Sequence, residues 1–220
     1  MTEAGSPGGA TPPPYTPPPY TAGPAAAPFE PGNVTVQTGK WISDGWNLVT
    51  GDWVTFGLAA LVMLVISSVV PFILQGALIT GLHIMVKRKM LVGQTEIGDL
   101  FKGFNYFVPA LIVNLLVTVF AMIGMLACII PAFVVGAMYM FPYLFVVDRK
   151  MEFWPAMQAS HAIVKKDYLG FTLFFLALVG LQILGALACI VGILITLPMM
   201  FAAITAAYRD IAGFQSGPDA

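Results

Sequence analysis

Few side chains in this 220-residue chain could do chemistry, and most of those lie at the edges of apolar runs. Cys128 and Cys189 are 61 residues apart and each follows a glycine, Gly124 or Gly185, by four positions. Two such thiols could form a disulfide in an oxidising compartment. The preferred reading makes them small apolar residues that, with the two glycines, let helices approach closely. His83 precedes Lys87 by one helical turn and reads as a packed or interfacial histidine, not a proton relay. His161 has no cysteine or carboxylate at ligand spacing, so no metal or other cofactor is expected. Asp148, Asp167 and Asp210 stand beside basic residues, where a solvated ion pair is the ordinary role. Gln75, Asn114 and Gln182 are the amides inside the apolar runs and form a candidate interior polar cluster. No nucleophile–base pair is visible, which argues against an enzyme. No carboxylate, lysine or arginine interrupts the apolar runs, which argues against an ion-coupled carrier.

The elements that hold these residues follow from charge. All ten basic residues fall in short segments separated by charge-free stretches at 53–86, 103–147 and 168–208. One helical crossing of a bilayer takes roughly 17–25 residues, so each stretch has room for two. Hydrophobic residues make up 58% of the chain, charged ones 10%, and the mean hydropathy is +0.85. A soluble domain carries about 25% charged residues. Continuous runs such as Phe174-Phe175-Leu176-Ala177-Leu178-Val179 exclude the alternation of a membrane barrel. The expected fold is an all-α polytopic membrane bundle of six transmembrane helices.

An internal repeat refines this plan. Gly124-Met-Leu-Ala-Cys128-Ile recurs as Gly185-Ala-Leu-Ala-Cys189-Ile, and the same offset of 61 carries Arg88-Lys89-Met90 onto Arg149-Lys150-Met151. Fixed periods of this kind mark repeated supersecondary units. Three are expected, at 40–90, 91–151 and 152–212, each an amphipathic elbow followed by a helical hairpin. The elbow faces are read as Ile42, Trp46, Val49 and Trp53; Ile97, Leu100, Phe101 and Phe104; and Trp154, Met157, His161, Val164 and Tyr168. Such helices, flanked by Lys or Arg, lie at headgroup level. Lys87, Arg88, Lys89, Arg149, Lys150, Lys165 and Lys166 are accordingly the candidate headgroup contacts. Pro71 and Pro131 suit the first turns of second helices, and Pro142 and Pro198 should kink two of them, with neighbouring helices covering the freed carbonyl. Positive charge confined to one face puts both termini and all elbows in the cytoplasm of a cell (inner) membrane protein.

Residues 1–39 hold ten of the seventeen prolines and read as a disordered tail without the basic start and apolar core of a signal peptide. Thr11-Pro-Pro-Pro-Tyr15 is repeated as Thr16-Pro-Pro-Pro-Tyr20, a form that can dock on aromatic grooves of protein partners. Residues 213–220 read as a short C-terminal tail. Membrane lipids and tail-bound proteins are the expected partners, and nucleic acid is not one.

Three further segments carry a resemblance. Ile129-Ile130-Pro131, the elbow around Ala159-Ser160-x-x-Ile163-Val164, and the ending Tyr208-Arg209-Asp210 resemble a group of bacterial six-helix integral membrane proteins. That group includes the membrane domain attached to some glycerophosphodiester phosphodiesterases. The resemblance covers 40–212 and implies a six-helix membrane domain; no phosphodiesterase activity carries over, since no matching acid/base constellation exists here. The expected function is a non-enzymatic scaffold or accessory factor, with a passive or partner-driven transporter or lipid-handling protein as the alternative.

Overall fold

The computed structural model describes residues 29–217 apart from 71 and 128. The repeated Pro-Pro-Pro-Tyr units, Pro71 and a pairing of Cys128 with Cys189 lie outside the described residues. The described chain is all helical: α1 (Thr38–Thr50), α2 (Trp53–Val69), α3 (Gln75–Val92), α4 (Gly98–Phe101, continued by a 3-10 turn over Lys102–Tyr106), α5 (Phe107–Ala127), α6 (Ile129–Met138), α7 (Pro142–Arg149), α8 (Phe153–Val164), α9 (Tyr168–Leu187) and α10 (Cys189–Ala212). Among the described residues, four segments are long and apolar enough to cross a membrane: Gly98–Leu126, Pro131–Arg149, Tyr168–Leu187 and Val191–Ala212. A fifth arises if α1 and α2, bent by 96° at their junction, count as one.

Helix α3 is the axis of the bundle. Every residue from Gly76 to Lys87 is buried, with α2, α4, α5, α7 and α10 packed around it. Its glycines make this possible. A Cβ on Gly76 would stand 2.5 Å from the Ala110 carbonyl oxygen of α5, and one on Gly81 would collide with the backbone of Leu100 in α4. Helices α2, α5 and α9 lie outside and expose large apolar residues along their length, including Leu58, Leu115 and Leu173. The charge-free stretches therefore contain two kinds of helix, a peripheral one and a central one.

The short helices pack more deeply than an elbow lying flat on a membrane would. In α1 the inward face is Trp41, Gly45 and Val49, while Trp46, and Trp53 at the start of α2, are exposed. A Cβ on Gly45 would sit 2.8 Å from the Ala203 amide nitrogen, so α1 rests directly on the α10 backbone. Trp41 inserts edge-on to Phe174, with ring centroids 5.1 Å apart. In α8 the buried face is Ala156, Met157, Ala159, Ser160, Ile163 and Val164, with Trp154 outside. Each buried face combines small residues that let the backbones approach, Gly45 in α1 and Ala156, Ala159 and Ser160 in α8, with apolar side chains that fill the space beside them.

Prolines act as expected at two places. Pro131 lies in the first turn of α6, and Pro142 opens α7 after a break at 139–141. Pro142 has no N–H for the Met138 carbonyl four residues back. Ser160 of α8 donates its hydroxyl to that carbonyl at 2.6 Å and accepts the Phe141 amide at 3.3 Å. Pro198 lies inside α10, which continues through it.

The packed body also outruns its expected limits. Phe29, Val34 and Val36 pack on the core before residue 40, and Phe214 does so after residue 212. Apolar side chains at these positions have buried partners, so they do not behave as tail.

Replacing Gly81 by Ala should cost about 1–3 kcal/mol through overpacking, read as a lower unfolding temperature of the detergent-solubilised protein. Gly57→Ala, where nothing lies within 4 Å of the added Cβ, should cause no loss; equal losses at both sites would contradict the close α3–α4 approach.

Candidate functional site

Charged and polar side chains gather where α3, α7 and α10 end. Lys87 near the end of α3 pairs with Asp148 of α7 at 3.1 Å, and the side chains are 1% and 0% exposed. A charge taken out of water needs both a counter-charge and hydrogen bonds, and Asp148 has a full set. It accepts the Gln215 amide at 3.0 Å, the Ser216 amide at 3.1 Å, the Ser216 hydroxyl at 3.0 Å and the Tyr208 hydroxyl at 3.1 Å. Lys87 donates to Ser216 Oγ at 2.5 Å. Arg149 next to it donates to the Ala212 carbonyl at 2.8 Å and lies under the Phe29 ring, 4.7 Å from its centroid. Lys150 donates to the Tyr106 hydroxyl and stands over its ring. Burial, and then the neighbouring Lys87 ammonium, hold the Lys150 amine below its ordinary pKa.

One turn deeper, His83 Nδ1 is 2.8 Å from Thr205 Oγ1. Thr205 Oγ1 also lies 2.8 Å from the Phe201 carbonyl, to which it can donate. With Thr205 donating to Phe201, a proton on His83 Nδ1 satisfies all three groups; His83 Nε2 has no partner among the described residues. The ring stacks on Tyr143 and meets Phe201 edge-on, at 6.5 and 5.2 Å between centroids. Tyr143 donates to Asn114 Oδ1 at 3.2 Å, and Asn114 Nδ2 donates to the Phe72 carbonyl at 3.1 Å. Phe72 holds a left-handed φ of +68° at the turn before α3, and the Asn114 bond pins that turn to α5.

The candidate residues separate into groups. Lys87 is in the interior and cannot contact headgroups. Arg88 pairs with Asp99 at 2.6 Å and Lys89 with Asp52 at 3.2 Å; Arg149 and Lys150 have the partners given above. Lys165 and Lys166 are exposed and have no ion pair among the described residues. Asn114 and Gln182 do not meet: Gln182 accepts the Thr196 hydroxyl at 2.7 Å and donates toward Met200 Sδ at 3.5 Å. Gln75 opens α3, and none of the three amides bonds to another.

The three aspartates also differ in role. Asp148 is buried, not solvated. Asp167 accepts the Gly170 amide at 2.8 Å and caps α9, while Asp210 binds Lys40 at 2.5 Å and the Trp41 indole at 3.1 Å. His161 is 2.6 Å from the Tyr168 hydroxyl. Tyr143, Thr205 and Tyr208 were not foreseen as site residues. One signal was there for the ion pair: the offset of 61 carries Lys87 onto Asp148, opposite charges at one repeat position.

A stretch of 105 residues, 48% of the chain, is 32% identical to an uncharacterized protein of Mycobacterium bovis. The same holds for uncharacterized proteins of Mycobacterium tuberculosis strains CDC 1551 and H37Rv. The match spans about a third of the length of these relatives, 32% of each. No family model and no solved structure matches the chain.

Chemically, this arrangement neutralises the buried charges and orders the ends of α3, α7 and α10. Lys87→Met or Asp148→Leu alone should cost about 3–5 kcal/mol, because each leaves a buried charge without its partner. The double variant should lose less than either single one, as measured by denaturation in mixed micelles. Additive losses would mean that the pair is not coupled.

Proposed function

We propose that this protein is a non-enzymatic scaffold or accessory factor of the cell membrane. The carrying observation is that, His83 Nε2 apart, the interior polar groups described above are paired with one another: Lys87 with Asp148, Asn114 with Tyr143, Gln182 with Thr196. A transport path needs polar groups free to exchange partners with a passing solute. Paired groups at helix junctions instead hold the bundle in one arrangement.

In this reading the chain crosses the membrane six times, in three elbow-and-hairpin units: α1–α3, α4–α7 and α8–α10. Helix α3 is then the second arm of the first hairpin; its three consecutive cations lower its apolarity, while its surrounding helices shield it. The resemblance to bacterial six-helix membrane domains supports the same plan. Both termini and all the elbows face the cytoplasm, by the one-sided placement of Lys and Arg. Lys165 and Lys166, which are exposed, have no ion pair among the described residues and are followed by the exposed Tyr168, bind anionic headgroups. The Pro-rich tail recruits proteins.

Two measurements test this. In a background with Cys128 and Cys189 changed to Ala, an impermeant maleimide on intact cells should label Ile73→Cys and Leu187→Cys, but not Gln94→Cys or Gln158→Cys. Labelling of the last two would sink the topology. In sealed phosphatidylethanolamine/phosphatidylglycerol proteoliposomes, dye leakage and fluorescent-lipid flipping should stay at the protein-free rates. Acceleration of either would favour a transporter or lipid-handling protein.

A further inference from the structure

After α10 the chain turns back across the buried Lys87–Asp148 pair. Gly213, with φ of +67°, permits the reversal. The following residues hold on chiefly by polar contacts: the Gln215 and Ser216 amides and the Ser216 hydroxyl on Asp148, and the Lys87 ammonium on Ser216 Oγ. One apolar side chain anchors them, with the Phe214 ring 6.1 Å from Tyr208 and 5.8 Å from Lys87 Nζ. Gly213, Gln215 and Gly217 are exposed. The foot of this segment is the Ala212 carbonyl, held by Arg149, and Arg149 is in turn covered by Phe29. The segment after α10 thus covers the charged pair, and Phe29 covers the arginine that holds the foot of that segment.

We propose that residues 213–217 are a releasable strap occupying a binding site formed by Lys87, Asp148 and Tyr208. The class of ligand is a short peptide group that offers two consecutive amide N–H donors and a hydroxyl, as Gln215-Ser216 does. Two features make release feasible. The strap's polar contacts can be replaced in kind by water or by another peptide, unlike the apolar contacts of the helices. The site also survives opening, because Lys87 and Asp148 neutralise each other and leave no lone charge. Phe29 acts on the strap through Arg149, so the chain on both sides of the helices bears on one site.

The test uses the full chain in phosphatidylethanolamine/phosphatidylglycerol nanodiscs, an impermeant amine-acetylating reagent, and peptide mapping by mass spectrometry. Exposed Lys165 and Lys166 serve as internal references. Lys87 should be protected in the native chain. Gln215→Pro, which removes one amide donor, should raise Lys87 acetylation about tenfold by favouring local opening; Phe29→Ala should raise it less. Excess Gly-Phe-Gln-Ser-Gly peptide should restore protection to Gln215→Pro. Lys87 reacting like Lys165 in the native chain, or remaining protected in both variants, would overturn the strap. Failure of the peptide to protect would overturn the binding site, as would acetylation rising equally at Lys150, which marks general loosening.

Discussion

Three consecutive cations, Lys87, Arg88 and Lys89, emerge from a helix that is otherwise sheathed in protein, and each must be neutralised where it stands. The counter-charges come from three different elements: Asp148 near the end of α7, Asp99 in α4 and Asp52 ahead of α2. Asp99 is further fixed by Lys102 at 2.9 Å, the Glu96 amide at 3.0 Å and the Thr95 hydroxyl at 3.1 Å. The direction of each side chain at the end of α3 thus dictates which neighbour lies on that side. A shift of α3 by one residue would break all three pairs at once, at the highest cost for Lys87, which is buried while Arg88 and Lys89 keep some contact with solvent. Apolar contacts tolerate such sliding far better, since they carry no direction.

The outer and inner helices divide the remaining work. Leu58, Leu115 and Leu173 face outward from α2, α5 and α9, where only apolarity matters. The central faces of α3, α7 and α10 carry His83, Tyr143, Thr205 and Tyr208, where geometry matters. Composition cannot separate the two sets, because both are drawn from runs free of charge.

That division explains what could be read in advance. The charge-free stretches marked where helices lie, and the missing N–H of Pro142 pointed to a freed carbonyl that another helix would cover. Side-chain partners were harder. Asn114 and Gln182 are chemically alike, yet one bonds to Tyr143 and the other to Thr196, because they sit at different contacts between helices. Periodicity put Trp46 and Trp53 on one face with Val49, but Gly45 decided which side meets α10, since only a residue without a Cβ allows that approach. The Lys87–Asp148 pair lay hidden behind the repeat itself. A comparison that looks for identical residues passes over a position where one copy has the ammonium and the next has the carboxylate.

The hydroxyl of Ser160 has a consequence for how the protein is made. It closes the break between α6 and α7, yet it is encoded 22 residues after the Met138 carbonyl that it satisfies. A ribosome delivers the broken helix first and the residue that mends it later. Until α8 has been synthesised and docked, that carbonyl and the Phe141 amide must keep water, the translocation machinery or some other temporary host. The break between α6 and α7 is therefore completed by α8, and a chain interrupted before residue 160 holds an unfinished junction even though every residue of α6 and α7 is present.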